Sequence, residues 1–124
     1  MQNFTELNSR RVVMQTENSY ARIKEIACLK KKLEIRRVLK QDHEVCYKFF
    51  STFDYCMNLL KKNFREILEN SYFDVDYKFW WIDKYCQSSY YRMRAKAVNA
   101  FVSLFNIIYE NFPHFARNIV RSLR

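Results

Sequence analysis

Glycine is missing altogether from the 124 residues, and proline occurs once, at Pro113. Without glycine the chain lacks the residue that takes positive φ at no steric cost and lets a phosphate approach the backbone. Phosphate-cradling loops, dinucleotide-binding turns and nucleophile elbows are therefore not expected, and no cofactor is predicted. Tight β-hairpin turns also lean on glycine, whereas helices use it only as an optional terminator. The absence predicts an all-α protein. Gly, Pro and Ala are scarce while Lys, Asn, Phe, Tyr and Ile abound, the usage of AT-rich codons, so coding bias explains part of the pattern.

Other things are missing as well. No apolar run approaches the length of a membrane span, and no membrane association is expected. The opening Met1-Gln2-Asn3-Phe4-Thr5-Glu6 has no basic segment leading into an apolar one, which reads as no signal peptide. Cys28, Cys46, Cys56 and Cys86 fall in helical patterns without close pairing, as expected of reduced thiols in the cytoplasm. Acids are few: 13 Asp and Glu face 22 Lys and Arg, for a net charge of +9. The excess is uneven. Residues 1–41 carry ten basic side chains against four acids, residues 42–87 six against eight, and residues 88–124 six against one. Basic ends around a slightly acidic middle suit an anionic partner, although a lysine-rich proteome yields basic proteins without such a role.

What is plentiful is aromatic surface. Eleven Phe, nine Tyr and two Trp make up 18% of the chain and must be removed from water, which argues for a folded core and against disorder. At this length one domain is expected, burying roughly two thirds of its unfolded surface. Residues 1–17 are weakly patterned, with Phe4, Leu7 and Val12-Val13-Met14 as apolar anchors, and read as an N-terminal arm ahead of a helical domain over 18–124.

From an N-cap at Asn18-Ser19 a helix is predicted to about Lys40 with two apolar sides. Ile26, Leu29 and Leu33 form one, and Cys28, Ile35, Val38 and Leu39 lie roughly opposite. A second helix is predicted from Asp42 to Asn70, with Phe49 or Phe50, Phe53, Met57, Leu60, Phe64 and Ile67 alternating at three and four. Asp42 is its expected cap and Asn70 its left-handed terminator. The apolar phase runs on from Ile35, Val38 and Leu39 into Cys46, Phe49 and Phe53, so one kinked helix competes with a hairpin at 40–42; the hairpin is preferred. A short helix is then expected with Val75, Phe79, Ile82 and Cys86 on one face and Tyr77, Trp80, Trp81 and Lys84 on the other. Residues 89–111 are apolar nearly all round, except for a strip of Asn99, Ser103, Asn106 and Glu110, and should form the central helix. After Pro113 a last helix would turn Phe115, Ala116, Ile119, Val120 and Leu123 inward. The result is a single-domain, mostly antiparallel bundle of four to five helices.

Few side chains suggest chemistry. His43 and Cys46 lie one helical turn apart, but Cys46 belongs to the apolar stripe and the cysteine spacings match no zinc template. Asp74-x-Asp76 reads as helix-start acids balancing the macrodipole, and His114 as a surface or capping residue. Lys30-Lys31-Lys32 point in different directions on a helix and form no single patch. No metal site or catalytic residue is assigned. Tyr77, Trp80, Trp81 and Lys84, with Tyr90, Tyr91, Arg92, Arg94 and Lys96 close by, mix aromatic and basic residues as core, protein interface or nucleic-acid surface can.

The leading expectation is a non-enzymatic interaction protein, a homo-oligomer or the binder of a protein partner. Its candidate interface is Tyr77, Trp80, Trp81 and Lys84 together with Ile26, Leu29 and Leu33. The alternative is nucleic-acid binding through Arg92, Arg94, Lys96, Arg117, Arg121 and Arg124, and an enzyme with a side-chain-built site comes third.

Overall fold

A computed structural model describes the backbone of residues 4–113 and the side chains of residues 18–113. Helix α1 spans Phe4–Val38, α2 His43–Leu59, α3 Lys62–Leu68 and α4 Gln87–Glu110, with one turn of π-helix at Glu69–Phe73 between the last two. The described residues contain no strand, and the chain is an all-α bundle. Helix α1 begins ahead of Asn18, since no proline or glycine interrupts the run from Phe4. The apolar anchors of the amino-terminal arm, His114 and the Arg117, Arg121 and Arg124 edge lie outside the described side chains.

The first two helices form the preferred hairpin. Gln41 N donates to Arg36 O at 2.8 Å and Lys40 N to Arg37 O at 3.1 Å, the bond pair of a Schellman ending. That motif places its C′ residue in the left-handed region, where glycine normally sits; here Lys40 takes the position with φ 57°. Asp42 is also left-handed, with φ 50°. It occupies the N-cap position of α2 but makes no cap bond from its side chain; its carboxylate meets Arg36 at 3.2 Å instead. Two non-glycine residues thus carry the positive φ values that a glycine-free hairpin needs.

The long second helix is not continuous. Leu60 and Lys61 are extended, with ψ 153° and 150°, and α3 leaves in a new direction to pack on α4. A straight helix over 42–70 would be about 44 Å long, longer than the roughly 36 Å of α4 that it has to cover. The break keeps Leu60, Ile67 and Leu68 buried on one short partner. Asn70 ends nothing: it lies inside the π turn, which closes with Asp74 N on Glu69 O at 2.6 Å.

Helix α4 is the expected centre. It packs against α1, α2 and α3 and buries Ala97, Val98, Phe101, Val102, Phe105 and Ile108. Phenylalanines fill the space between it and α2. Phe101 lies 5.6 Å from Phe53, 5.3 Å from Phe73 and 5.7 Å from Phe105, centroid to centroid, and Phe49 lies 5.7 Å from Phe105. Offset and edge-on rings at such spacings each add about 0.5–1.5 kcal/mol beyond area burial. Thr52, the polar residue fully buried here, returns its hydroxyl to Lys48 O at 2.8 Å.

Of the two apolar sides of α1, Ile23, Ile26 and Leu33 enter this core. Ile26 and Leu33 are thereby corrected as interface candidates: at 1% and 0% exposure they are out of a partner's reach. Leu29 is half-buried against the same core. The opposite side, Cys28, Ile35, Val38 and Leu39, faces solvent.

Candidate interaction surface

The segment between the π turn and α4 departs most from the sequence pattern. It forms no helix. Trp80 N, Ile82 N and Lys84 N donate to the carbonyls three residues back, at 3.2, 3.2 and 3.0 Å, giving a string of tight turns. Asp74 and Asp76 therefore start no helix and balance no macrodipole.

Trp80 and Trp81, for which core and interface are both open, pack on the core; Val75, Phe79 and Ile82, on the other face of the expected helix, face water. Both sets recur at helical spacing, so periodicity alone does not choose between them. Ring area does. An indole buries more apolar surface than Val or Ile, and its N–H still finds a partner at the edge of a core. Trp81 stacks on Tyr90 with centroids 4.5 Å apart and planes 5° from parallel. Trp80 Nε1 donates to Ser71 Oγ at 3.3 Å, and Ser71 Oγ and Tyr90 Oη lie 2.5 Å apart. Lys84, at the far end, meets Glu66 at 2.6 Å on the surface, and this bond raises its pKa.

These anchors fix a short segment whose other side is apolar and open. Val75 is 53% exposed, Tyr77 63%, Phe79 44% and Ile82 55%, and Tyr91 on the first turn of α4 adds a further exposed ring. Tyr77 and Phe79 touch edge to face, with centroids 6.0 Å apart. Of the expected interface residues, Tyr77 and Lys84 are at the surface and the two tryptophans are its supports. Val75, Phe79 and Ile82 were hidden from a sequence reading by their regular spacing, which is what an inward face looks like.

The basic candidates divide as well. Arg92 and Lys96 are exposed and four residues apart, on one side of α4. Arg94 lies between them in sequence and roughly opposite in space. It is half-buried, its guanidinium 4.8 Å from the ring centre of Tyr91, 5.7 Å from Tyr90 and 5.5 Å from Tyr20. The three do not form one cationic strip. Beside this arginine runs a cleft of about 210 Å³, lined by Val75, Lys78 and Phe79 of the turn segment together with Trp81, Tyr90 and Tyr91.

Elsewhere the candidate side chains are accounted for by packing. Cys46 is buried, its sulfur 3.6 Å from the carbonyl oxygens of Leu33 and Gln41, while His43 is exposed at the start of α2. Burial pushes the Cys56 thiol up to about 12. No helix among the described residues is long and apolar enough to cross a membrane.

Fold and surface together define a small all-α bundle that carries an exposed apolar face beside a cleft lined in part by Lys78 and Arg94. Set against protein-family models, curated proteins and solved structures, the chain matches none of them.

Proposed function

We propose that the protein is a non-enzymatic interaction module that docks a second polypeptide on the face formed by Val75, Tyr77, Phe79, Ile82 and Tyr91. One observation carries the reading: four large apolar side chains, each about half exposed, project from a single segment that half-buried tryptophans hold in place. Apolar side chains scattered singly over a surface need no explanation, but grouped ones rimmed by charge mark interaction sites. Aromatic rings with two χ angles lose little entropy when a partner covers them, which is why Tyr and Trp dominate binding hot spots. The partner favoured is a different chain. Two copies would bring +9 against +9, whereas a partner of opposite sign gains from the same field.

The test selects peptides from a random displayed library on the full chain, then measures them on a Phe79→Ser/Ile82→Ser variant. The reading expects selected peptides that lose about tenfold or more in affinity on the variant, close to 1.4 kcal/mol. Peptides that bind both proteins equally, or no enrichment, would sink it. Light scattering supplies the second arm: a dimer abolished by the same substitutions would assign the face to self-association.

A further inference from the structure

Resting on the docking face just described, we infer that the cleft beside Arg94 is a carboxylate receptor, so that the partner segment carries an Asp or Glu next to an apolar side chain. The first ground is an uncompensated charge. Arg22, Lys30, Arg36 and Lys84 each have a carboxylate within 4 Å: Glu25, Glu34, Asp42 and Glu66 respectively. Arg94 has none among the described residues, although it is more enclosed than Arg36 or Lys84. Its Nε is wholly buried and has no hydrogen-bond partner. The rings of Tyr20, Tyr90 and Tyr91 attract the guanidinium through their faces, yet tyrosine is neutral at physiological pH and cancels no charge. A half-buried cation left this way gains from any anion that reaches it.

The second ground is the shape and lining of the cleft. Lys78 also lines the cleft, its Nζ 5.6 Å from the Phe79 ring centre, and it too has no acidic partner among the described residues. Asn70 contributes an amide to the lining. At about 210 Å³ the space suits one or two side chains, and its aromatic walls suit an apolar neighbour beside the acid. Guanidinium offers a planar fork that matches a carboxylate with two parallel bonds.

The third ground separates a peptide acid from a polyanion. Nucleic-acid surfaces line up cations along a backbone track. Here Arg92 and Lys96 fall on the other side of α4, and Asp74, Asp76 and Asp83 punctuate the turn segment with negative charge. One enclosed guanidinium, with no row of cations beside it, fits a single carboxylate.

The experiment uses the full chain and the displayed random library. Enriched peptides are resynthesised with each Asp or Glu changed to Asn or Gln, and binding is read by anisotropy on the unaltered protein and on Arg94→Gln. The expected result is enrichment of an acid adjacent to an aromatic or aliphatic residue. The amide peptide and Arg94→Gln each weaken binding about tenfold, and combining them adds little, because both remove one contact. The peptide change needs no altered protein, so a poorly folded Arg94 variant leaves the test intact. Peptides that need Phe79 and Ile82 but no acid would overturn the receptor and leave the docking face standing. Peptides that need neither would overturn both. Displacement by polythymidine more strongly than by the acidic peptide would overturn the assignment in favour of single-stranded nucleic acid.

Discussion

The protein holds two aromatic clusters built on opposite rules. Between α2 and α4 the rings are nearly all phenylalanine, buried and packed on one another, with cations only at the margin, Arg37 over Phe50 and Lys30 over Phe53. Between the turn segment and the start of α4 they are Trp and Tyr, the indoles half-enclosed beside a buried Tyr90, and the polar tips of Trp80 and Tyr90 meet at Ser71 Oγ. Phenylalanine has no group that asks for water, so a phenylalanine cluster closes on itself. Trp and Tyr each bring a polar tip, so they stop at the boundary and leave their neighbours accessible. The first cluster accordingly holds the fold, and the second presents a surface.

The largest effect that would sharpen this contrast comes from the first cluster. Phe101→Ala empties a site ringed by Phe53, Phe73 and Phe105, and should cost about 3–5 kcal/mol. Domains of this size have about 5–15 kcal/mol in total. Urea titration should therefore show a protein at the margin of folding. A loss under 1 kcal/mol would mean that the phenylalanines do not carry the bundle.

In the second cluster support and surface should come apart. Trp81→Ala removes a stacked, half-buried ring and should cost about 1–3 kcal/mol while releasing the amides of residues 75–85 to hydrogen exchange. Ile82→Ser, one residue further on, should stay within about 0.5 kcal/mol of the unaltered protein, because its side chain faces water. Equal costs for the two would erase the distinction between anchor and docking face.

How much of this is legible before folding depends on whether one physical signal or two compete. Helix α4 is apolar around most of its circumference, and only a central position satisfies that, so its place follows from the pattern. The hairpin at 40–42 is harder, because the apolar phase runs through it. It shows itself only as a preference, and nothing in Lys40 announces a left-handed residue. Over 75–86 two stripes of equal period compete. There the burial of large rings against α4, a tertiary contact, overrides the helix and decides which stripe turns inward. The same holds for Arg94. Its neighbours Arg92 and Lys96 look equivalent in composition, and only the ring of Tyr20 from α1 beside Tyr90 and Tyr91 sets it apart.

A smaller effect, of opposite sign, belongs to the hairpin. A non-glycine residue held left-handed costs about 1–2 kcal/mol, and the extra unfolded freedom of glycine takes back about 0.5–1. Lys40→Gly should therefore stabilise the protein by about 0.5–1 kcal/mol, seen as a higher urea midpoint. Because the Schellman bonds at 40 and 41 are backbone bonds, they survive the change. Destabilisation instead would mean that the lysine side chain, and not the turn, holds this end of the bundle.

The smallest effect on stability, and the most local probe of the comparison, is the behaviour of two thiols. Cys86 stands where the turn segment meets α4, with Ser89 Oγ 3.0 Å and Ser88 Oγ 3.7 Å from its sulfur. Those hydroxyls can donate to a thiolate, and they bring its pKa down to about 7, whereas burial among the phenylalanines holds Cys56 at about 12. Iodoacetamide labelling of Cys86 should rise about tenfold per pH unit below 7 and level off above it, since the thiolate is the reactive form. Ser89→Ala should move that midpoint upward. Cys56 should stay unlabelled until the protein unfolds. The folded state keeps the Cys56 thiol neutral, so its contribution to stability is intact below the unfolded value near 9 and is lost as pH climbs toward 12. A Cys86 midpoint close to 9 would mean that both serines turn to solvent. The junction between the docking segment and α4 would then be looser than the stacked Trp81 and Tyr90 require, and the face they support would have to be assembled by its partner.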